Sequence, residues 1–282
     1  MKQRVLTSLL LAPVVCLACA LSTPYPLCVL CFLVATLAFG ELRGLFRHPK
    51  ALPVVTLMGI ALPFFATEYQ SNREPLQIML YAIALWLVGV FFAWWASRKG
   101  NAHSSEVDLS GLWVAMPLVC LMMVHKLATP PVDPLHITSL TPKPDIWTHN
   151  NYMWLILLPV WAGDIAAMLV GSRFGKHKLW PAVSPGKSIE GAVANLVLSV
   201  GVAVATADLL HYPRTLWLYV LCGVLVSVFG QAGDLFESYV KRKSGLKDSG
   251  ALLPGHGGLL DRIDSLLFAA PAVCVALVVA FR

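Results

Sequence analysis

Charged residues are scarce in this chain of 282 residues, because Asp, Glu, Lys and Arg together make up only 13% of it. A soluble globular domain carries about 25% charged residues, so this scarcity argues against a soluble fold. Hydrophobic residues make up 57% of the chain. They fall in runs of the length that a membrane-spanning helix needs, roughly 20 residues. We therefore predict an all-α polytopic membrane protein.

The apolar runs predict about nine transmembrane helices with the N-terminus in the cytoplasm. In that orientation sixteen Lys and Arg residues lie on the inner side and five on the outer side. Such a positive-inside bias sets the topology of membrane proteins, and here it places both highly charged loops in the cytoplasm. The predicted spans are about 5–21, 25–46, 51–67, 77–97, 112–128, 152–172, 191–210, 215–236 and 260–281.

A segment rich in Pro and polar residues, about 129–150, is predicted to be an external loop. It divides the chain into an N-terminal region, 1–150, with about five spans, and a catalytic region, 151–282, with about four spans and two cytoplasmic loops. No internal repeat relates the two regions. Because secondary transporters usually contain such repeats, an ion-coupled transporter is the less favoured alternative.

The formal net charge of +6 raises the question of an anionic partner. The basic residues adjoin apolar spans, which favours membrane lipid headgroups and phosphate substrates and predicts no nucleic acid partner. The two C-x-x-C pairs, Cys16/Cys19 and Cys28/Cys31, have the spacing of zinc ligands. No His or acid accompanies them, so we interpret these cysteines as small buried apolar residues.

The densest group of ionisable residues lies between Gln231 and Ser265, with an apolar run on each side. Asp234 follows directly on one of these runs, and an acid inside a membrane segment indicates function by default. Glu237 and Lys241 are also spaced as an ordinary ion pair on a solvated helix face. One helical face carries four polar residues at i, i+3, i+4 and i+7: Asp234, Glu237, Ser238 and Lys241.

A glycine-rich turn at 254–258 leads into a second acidic face, formed by Asp261, Asp264 and Ser265. Glycines let the backbone approach a ligand closely, and free amides at a helix start favour phosphate. Mg²⁺ takes one or two carboxylates and completes its shell with water and phosphate oxygens. We predict a Mg²⁺ site at Asp234 and Asp261, with the option of a second cation.

A third candidate region, 161–191, combines an intramembrane acid, Asp164, with a basic loop suited to a polyphosphate. Its segment 184–188 offers hydroxyls and amides to a nucleotide. It is not a Walker A sequence, because Leu179 or Trp180 stands where the first glycine belongs. Glu41 in the second predicted span serves either packing or the site, and the sequence leaves both alternatives open.

The polar positions of the C-terminal region form one long pattern: Ser238-x-x-Lys241-Arg242-x4-Lys247-Asp248-x-Gly250-x3-Pro254-x-His256-Gly257-Gly258-x-x-Asp261-Arg262-x-Asp264. This pattern resembles that of phosphatidate cytidylyltransferases (CDP-diacylglycerol synthases). The segment 174–191 is similar to a second region of that family, and the start at 2–7 is similar to its usual beginning.

The resemblance implies a nucleotidyltransferase of phospholipid biosynthesis that makes CDP-diacylglycerol and pyrophosphate from CTP and phosphatidic acid with Mg²⁺. It further implies a homodimer in a bacterial inner membrane, with the active site facing the cytoplasm. Ile165 and Met168 stand where the family commonly has Thr and Tyr. Transfer of a cytidylyl or phosphoryl group to another lipid, such as an isoprenoid or its phosphate, is therefore the alternative.

The resemblance also implies roles for individual residues. The catalytic group is Asp234, Asp261, Lys241 and Asp264. The lipid phosphate is expected at Ser238, Lys241 and Arg242, and the triphosphate at Lys176, Lys187, His256 and Arg262. The other residues implied in substrate binding are Lys247, Asp248, Asp164, Ser184 and Glu190.

Overall fold

The computed structural model describes residues 12–21, 25–48, 75–99, 104–127, 151–212, 215–252 and 257–281. Residues 12–20 are helical. The further elements follow in chain order: α1 (Tyr25–Leu45), α2 (Pro75–Lys99), α3 (Ser104–Ser110), α4 (Leu112–Leu127), α5 (Trp154–Phe174), β1 (Lys178–Trp180), β2 (Ser184–Ser188), α6 (Ile189–Leu209), α7 (Leu216–Lys243) and α8 (Leu260–Ala280).

Seven helical segments in the described part of the chain are long and apolar enough to cross a membrane. The prediction of an all-α polytopic membrane protein is confirmed. The predicted span 51–67 and the beginning of the span 5–21 lie outside the described residues, so the count of nine and the cytoplasmic N-terminus stay predictions. The predicted boundary loop, 129–150, also lies outside them, and the division at residue 150 stays a prediction.

The N-terminal and C-terminal helices pack into one hydrophobic core. Helix α4 is central to it, with Trp113 and Met116 fully buried. The Trp113 ring meets Phe236 of α7 edge-on at 5.0 Å, and Trp86 of α2 meets Phe268 of α8 in the same way at 4.9 Å. Such edge-to-face pairs add to the stabilisation from burial alone. Helices from both regions therefore fix the positions of α7 and α8.

Helix α7 extends to Lys243, seven residues beyond the predicted end of its span at 236. The polar face at 234–241 is therefore helical throughout, as its spacing predicted. The reason for the extension is burial, since Glu237, Ser238 and Lys241 are all buried by neighbouring elements. The predicted membrane boundary followed hydropathy, which cannot detect a polar turn that is covered by the rest of the protein.

A two-stranded antiparallel hairpin, β1–β2, stands where the sequence predicted only a loop. Lys178 pairs with Ser188, and Trp180 pairs with Ser184. The strands are three and five residues long, too short to show an alternating pattern. Ser188 ends β2 and caps α6, where its Oγ accepts a hydrogen bond from the amide of Gly191 at 3.1 Å. The hairpin thereby holds Lys187 at the start of α6.

Candidate active site

The site is built where α7 and α8 approach each other most closely. A Cβ on Gly233 of α7 would lie 2.4 Å from the carbonyl oxygen of Asp264, and one on Gly230 would lie 3.5 Å from the Ser265 side chain. Small residues allow the backbones of membrane helices to come this close. The close approach brings the acids of α7 beside Asp264 of α8.

Replacing Gly233 with Ala is expected to push α7 away from α8 and to destabilise the protein by about 1–3 kcal/mol, because a backbone oxygen cannot move aside as a side chain can. Activity should fall with it. Thermal unfolding of the purified protein in detergent measures the effect. Gly201→Ala in α6 is the matched control, since nothing lies within 4 Å of a Cβ at that position. Equal unfolding temperatures for the two variants would contradict the close approach.

Lys241 joins the acids of α7 and α8. Its Nζ donates to Glu237 Oε2 at 3.0 Å and also contacts Asp261 Oδ1 of α8. Glu237 is completely buried, with 0% of its side chain exposed, and Lys241 and Asp261 are nearly so. Two buried carboxylates thus share one lysine. The alternative of an ordinary Glu237–Lys241 pair on a solvated face was wrong, because both side chains are covered.

Asp261 also fixes the loop that precedes its helix. Its carboxylate accepts hydrogen bonds from the amides of Gly258 at 2.9 Å and Ser249 at 3.1 Å. Gly257 between them has a φ of +82°, a conformation that favours glycine. Asp261 therefore has a lysine and two backbone donors as partners, and it connects α7, Ser249 and Gly258 to α8.

A second lysine–aspartate pair involves the same face of α7, seven residues before Lys241. Lys187 of β2 lies 2.5 Å from Asp234 Oδ2, and Ser238 Oγ donates to Asp234 Oδ1 at 3.4 Å. Asp164 of α5 lies close enough to Asp234 for the two negative charges to repel each other. Nδ2 of Asn195 in α6 donates a hydrogen bond to Asp164 Oδ1 at 3.4 Å. Four elements, α5, β2, α6 and α7, thus meet around Asp234.

Acidic side chains of three helices lie near Asp234, because Asp164 and Asp264 both feel its charge, and carboxylate oxygens are the ligands that Mg²⁺ prefers. Asp234 contacts Lys187 and Asp261 contacts Lys241, and among the described residues no contact joins the two predicted ligands. Within the described ranges no cluster of three or more His, Cys, Asp or Glu has metal-site geometry. A Mg²⁺ site with one or two carboxylates does not need such a cluster, so the predicted ligands Asp234 and Asp261 stay a prediction.

The remaining predicted site residues differ in burial and in their contacts. Ser184 is half-buried in β2, and Glu190 at the start of α6 accepts from His177 Nδ1 at 2.7 Å. Arg242 donates to the carbonyl of Leu246 at 3.1 Å. His256 lies outside the described residues. The exposed members of the set are Lys176, Arg242, Lys247, Asp248 and Arg262.

Two residues of the site were not predicted by the sequence analysis. Gly233 sits one residue before Asp234, and a glycine on the helix face next to a functional acid is a signal that could have identified it. Glu237 was placed on the polar face of α7 but was not assigned to the site, since i, i+4 spacing gives no information on burial. Both became visible only through the packing of α8 against α7.

Lysines that lie beside acids next to apolar helices suit a membrane enzyme that acts on phosphates. The model of the cytidylyltransferase family matches residues 2–280, and the chain belongs to that family. It is 31% identical over 283 residues to the phosphatidate cytidylyltransferase of Staphylococcus haemolyticus (strain JCSC1435), covering 99% of both chains. It is 44% identical over 128 residues to the enzyme of the same name from Staphylococcus aureus (strain COL), covering 45% of this chain and 49% of the relative.

Proposed function

We propose that this protein makes CDP-diacylglycerol and pyrophosphate from CTP and phosphatidic acid. The observation that carries the proposal is the pair of lysine–aspartate contacts on one face of α7, Lys187–Asp234 and Lys241–Asp261. Asp234 and Lys241 are seven residues apart, about 10 Å along the helix. That separation suits a triphosphate and a lipid phosphate lying side by side.

The two lysines can bind phosphate without giving up their aspartates. An ammonium group has three N–H donors. Lys187 has one acidic partner and Lys241 has two, so each retains at least one donor for a phosphate oxygen. We assign the lipid phosphate to Lys241, Ser238 and Arg242 and the triphosphate to Lys187 and Lys176. We also assign Arg262 and His256 to binding of the triphosphate.

The reaction is an in-line displacement at phosphorus. An oxygen of the lipid phosphate forms a bond to the α-phosphorus of CTP, while the bond from that phosphorus to the bridging oxygen breaks and pyrophosphate leaves with the electron pair. The protein contributes positioning and charge neutralisation. Mg²⁺, held by Asp234 and Asp261 with Asp264 beside them, would supply further neutralisation of the phosphate oxygens.

The location of the enzyme in the membrane follows from the position of these contacts at the polar end of α7. The lipid tails stay in the bilayer while the headgroup reaches the polar end of α7, which explains why the enzyme is an integral membrane protein. We place the active site on the cytoplasmic side of a bacterial inner membrane, where the basic loops belong by the positive-inside rule. We further propose a homodimer, on the strength of the family resemblance.

The test is release of pyrophosphate by purified protein given CTP, Mg²⁺ and one lipid at a time. Phosphatidic acid is expected to support turnover, with CDP-diacylglycerol as the product identified by mass spectrometry. Polyprenyl phosphate and polyprenol form the comparison arms. Faster turnover with a polyprenyl acceptor would overturn the assignment of the lipid, and no pyrophosphate with any lipid would overturn the reaction.

A further inference from the structure

Glu41 is a buried acid from a helix remote in sequence that reaches the active-site loop. It lies near the end of α1, with 8% of its surface exposed. It is separated by about two hundred residues from the segment that it contacts. A buried carboxylate is costly unless donors satisfy it, so its partners indicate its purpose.

Three donors of the loop that carries Asp261 converge on the Glu41 carboxylate. The amide of Leu259 donates to Oε1 at 2.8 Å, and the amide of Leu260 donates to Oε2 at 2.8 Å. Ser249 Oγ donates to Oε2 at 3.0 Å. Leu259 itself offers no side-chain cap to α8. Glu41 therefore caps the N-terminus of α8 from another part of the chain, where a negative charge is favoured.

The loop is shaped to admit this side chain. A Cβ on Gly250 would lie 2.7 Å from Glu41 Oε1, and one on Gly258 would lie 2.7 Å from Glu41 Oε2. Both glycines thus leave the space that the carboxylate fills. Ser249 and Gly258 are also the residues whose amides bind Asp261. Ser249 therefore contacts both acids, through its hydroxyl to Glu41 and through its amide to Asp261.

We propose that Glu41 is a positioning residue that holds Ser249 and the start of α8 at Leu259 and Leu260, and thereby sets the orientation of Asp261. The expected effect on turnover rests on the proposed function, whereas the contacts of Glu41 with Ser249, Leu259 and Leu260 do not depend on it. Asp261, the residue that Glu41 orients, is proposed to act on the reacting phosphates. Loss of Glu41 should therefore lower kcat and leave the KM for CTP nearly unchanged.

The test compares wild type with Glu41→Gln by hydrogen–deuterium exchange and by kinetics, using the full chain in detergent. A glutamine amide would present a donor to the amides that need an acceptor. We expect exchange at Leu259 and Leu260 to become at least about tenfold faster. We expect kcat to fall about 10- to 100-fold, the range found when the residues that orient metal ligands are removed. Ser249→Ala, which removes one of three donors, should give a smaller change of both kinds.

Thr36→Val on the same helix is the matched control, because Thr36 is exposed and its Oγ1 donates to the carbonyl of Phe32 in its own helix. It should leave exchange and turnover as in wild type. Unchanged exchange in Glu41→Gln, or faster exchange with wild-type kcat, would overturn the positioning role. If Glu41→Gln does not fold, Ser249→Ala decides the same two points. Wild-type protein without CDP-diacylglycerol synthesis would overturn the proposed function, and the exchange comparison would still decide whether Glu41 holds the loop.

Discussion

Asp261→Asn is expected to lower kcat/KM with CTP and phosphatidic acid by about 10²- to 10³-fold, the range for losing one charge-stabilising group from an active site. The carboxylate accepts from Lys241, from the amide of Gly258 and from the amide of Ser249. An asparagine can keep one acceptor oxygen but presents an NH₂ group to the other donors. It also removes the negative charge that pairs with Lys241 and that is proposed to bind Mg²⁺.

Pyrophosphate release measures the loss, and thermal unfolding establishes that the variant is folded. Asp208→Asn is the matched control, since Asp208 is an exposed acid at the far end of α6. Its kcat/KM should equal that of wild type. Asp261→Asn with more than a tenth of wild-type activity would contradict both the metal assignment and the role of the Lys241 pair.

The sequence predicted those parts of the protein whose signal is local. Apolar runs gave the helices, because a bilayer requires both length and hydrophobicity in one continuous segment. Helical spacing correctly placed Asp234, Ser238 and Lys241 on one face of α7. The family resemblance, confirmed by the match over residues 2–280, rests on the spacing of polar residues that a single loop and two helix ends contain.

What the sequence could not predict depends on contacts between distant segments. The partner of Asp234 is Lys187 and that of Asp261 is Lys241, and no spacing rule selects those two lysines from the other bases. The contacts of Glu41 with α8 join residues more than two hundred positions apart. The burial of Glu237 depends on α8 packing against Gly233. Each of these follows from the tertiary fold alone.

The second large effect is expected from Lys241→Met. This change leaves Glu237, which is fully buried, without its cation, and Glu237 Oε1 already has no hydrogen-bond partner among the described residues. Breaking a buried ion pair from one side costs about 3–5 kcal/mol, because the remaining charge is uncompensated. We expect the unfolding temperature to fall by roughly 10 °C and turnover to be lost with the proposed lipid-phosphate contact.

The double variant Lys241→Met/Glu237→Gln separates the two consequences. Removing the Glu237 charge takes away the fully buried one of the two carboxylates that lose their cation, so part of the lost stability should return. Turnover should not return, since the lysine that contacts Asp261 is still absent. The unfolding temperatures of wild type, both single variants and the double variant form a cycle that gives the coupling between the two residues. Additive losses of stability would show that the pair is not coupled. Recovered turnover in the double variant would show that Lys241 serves only to neutralise Glu237.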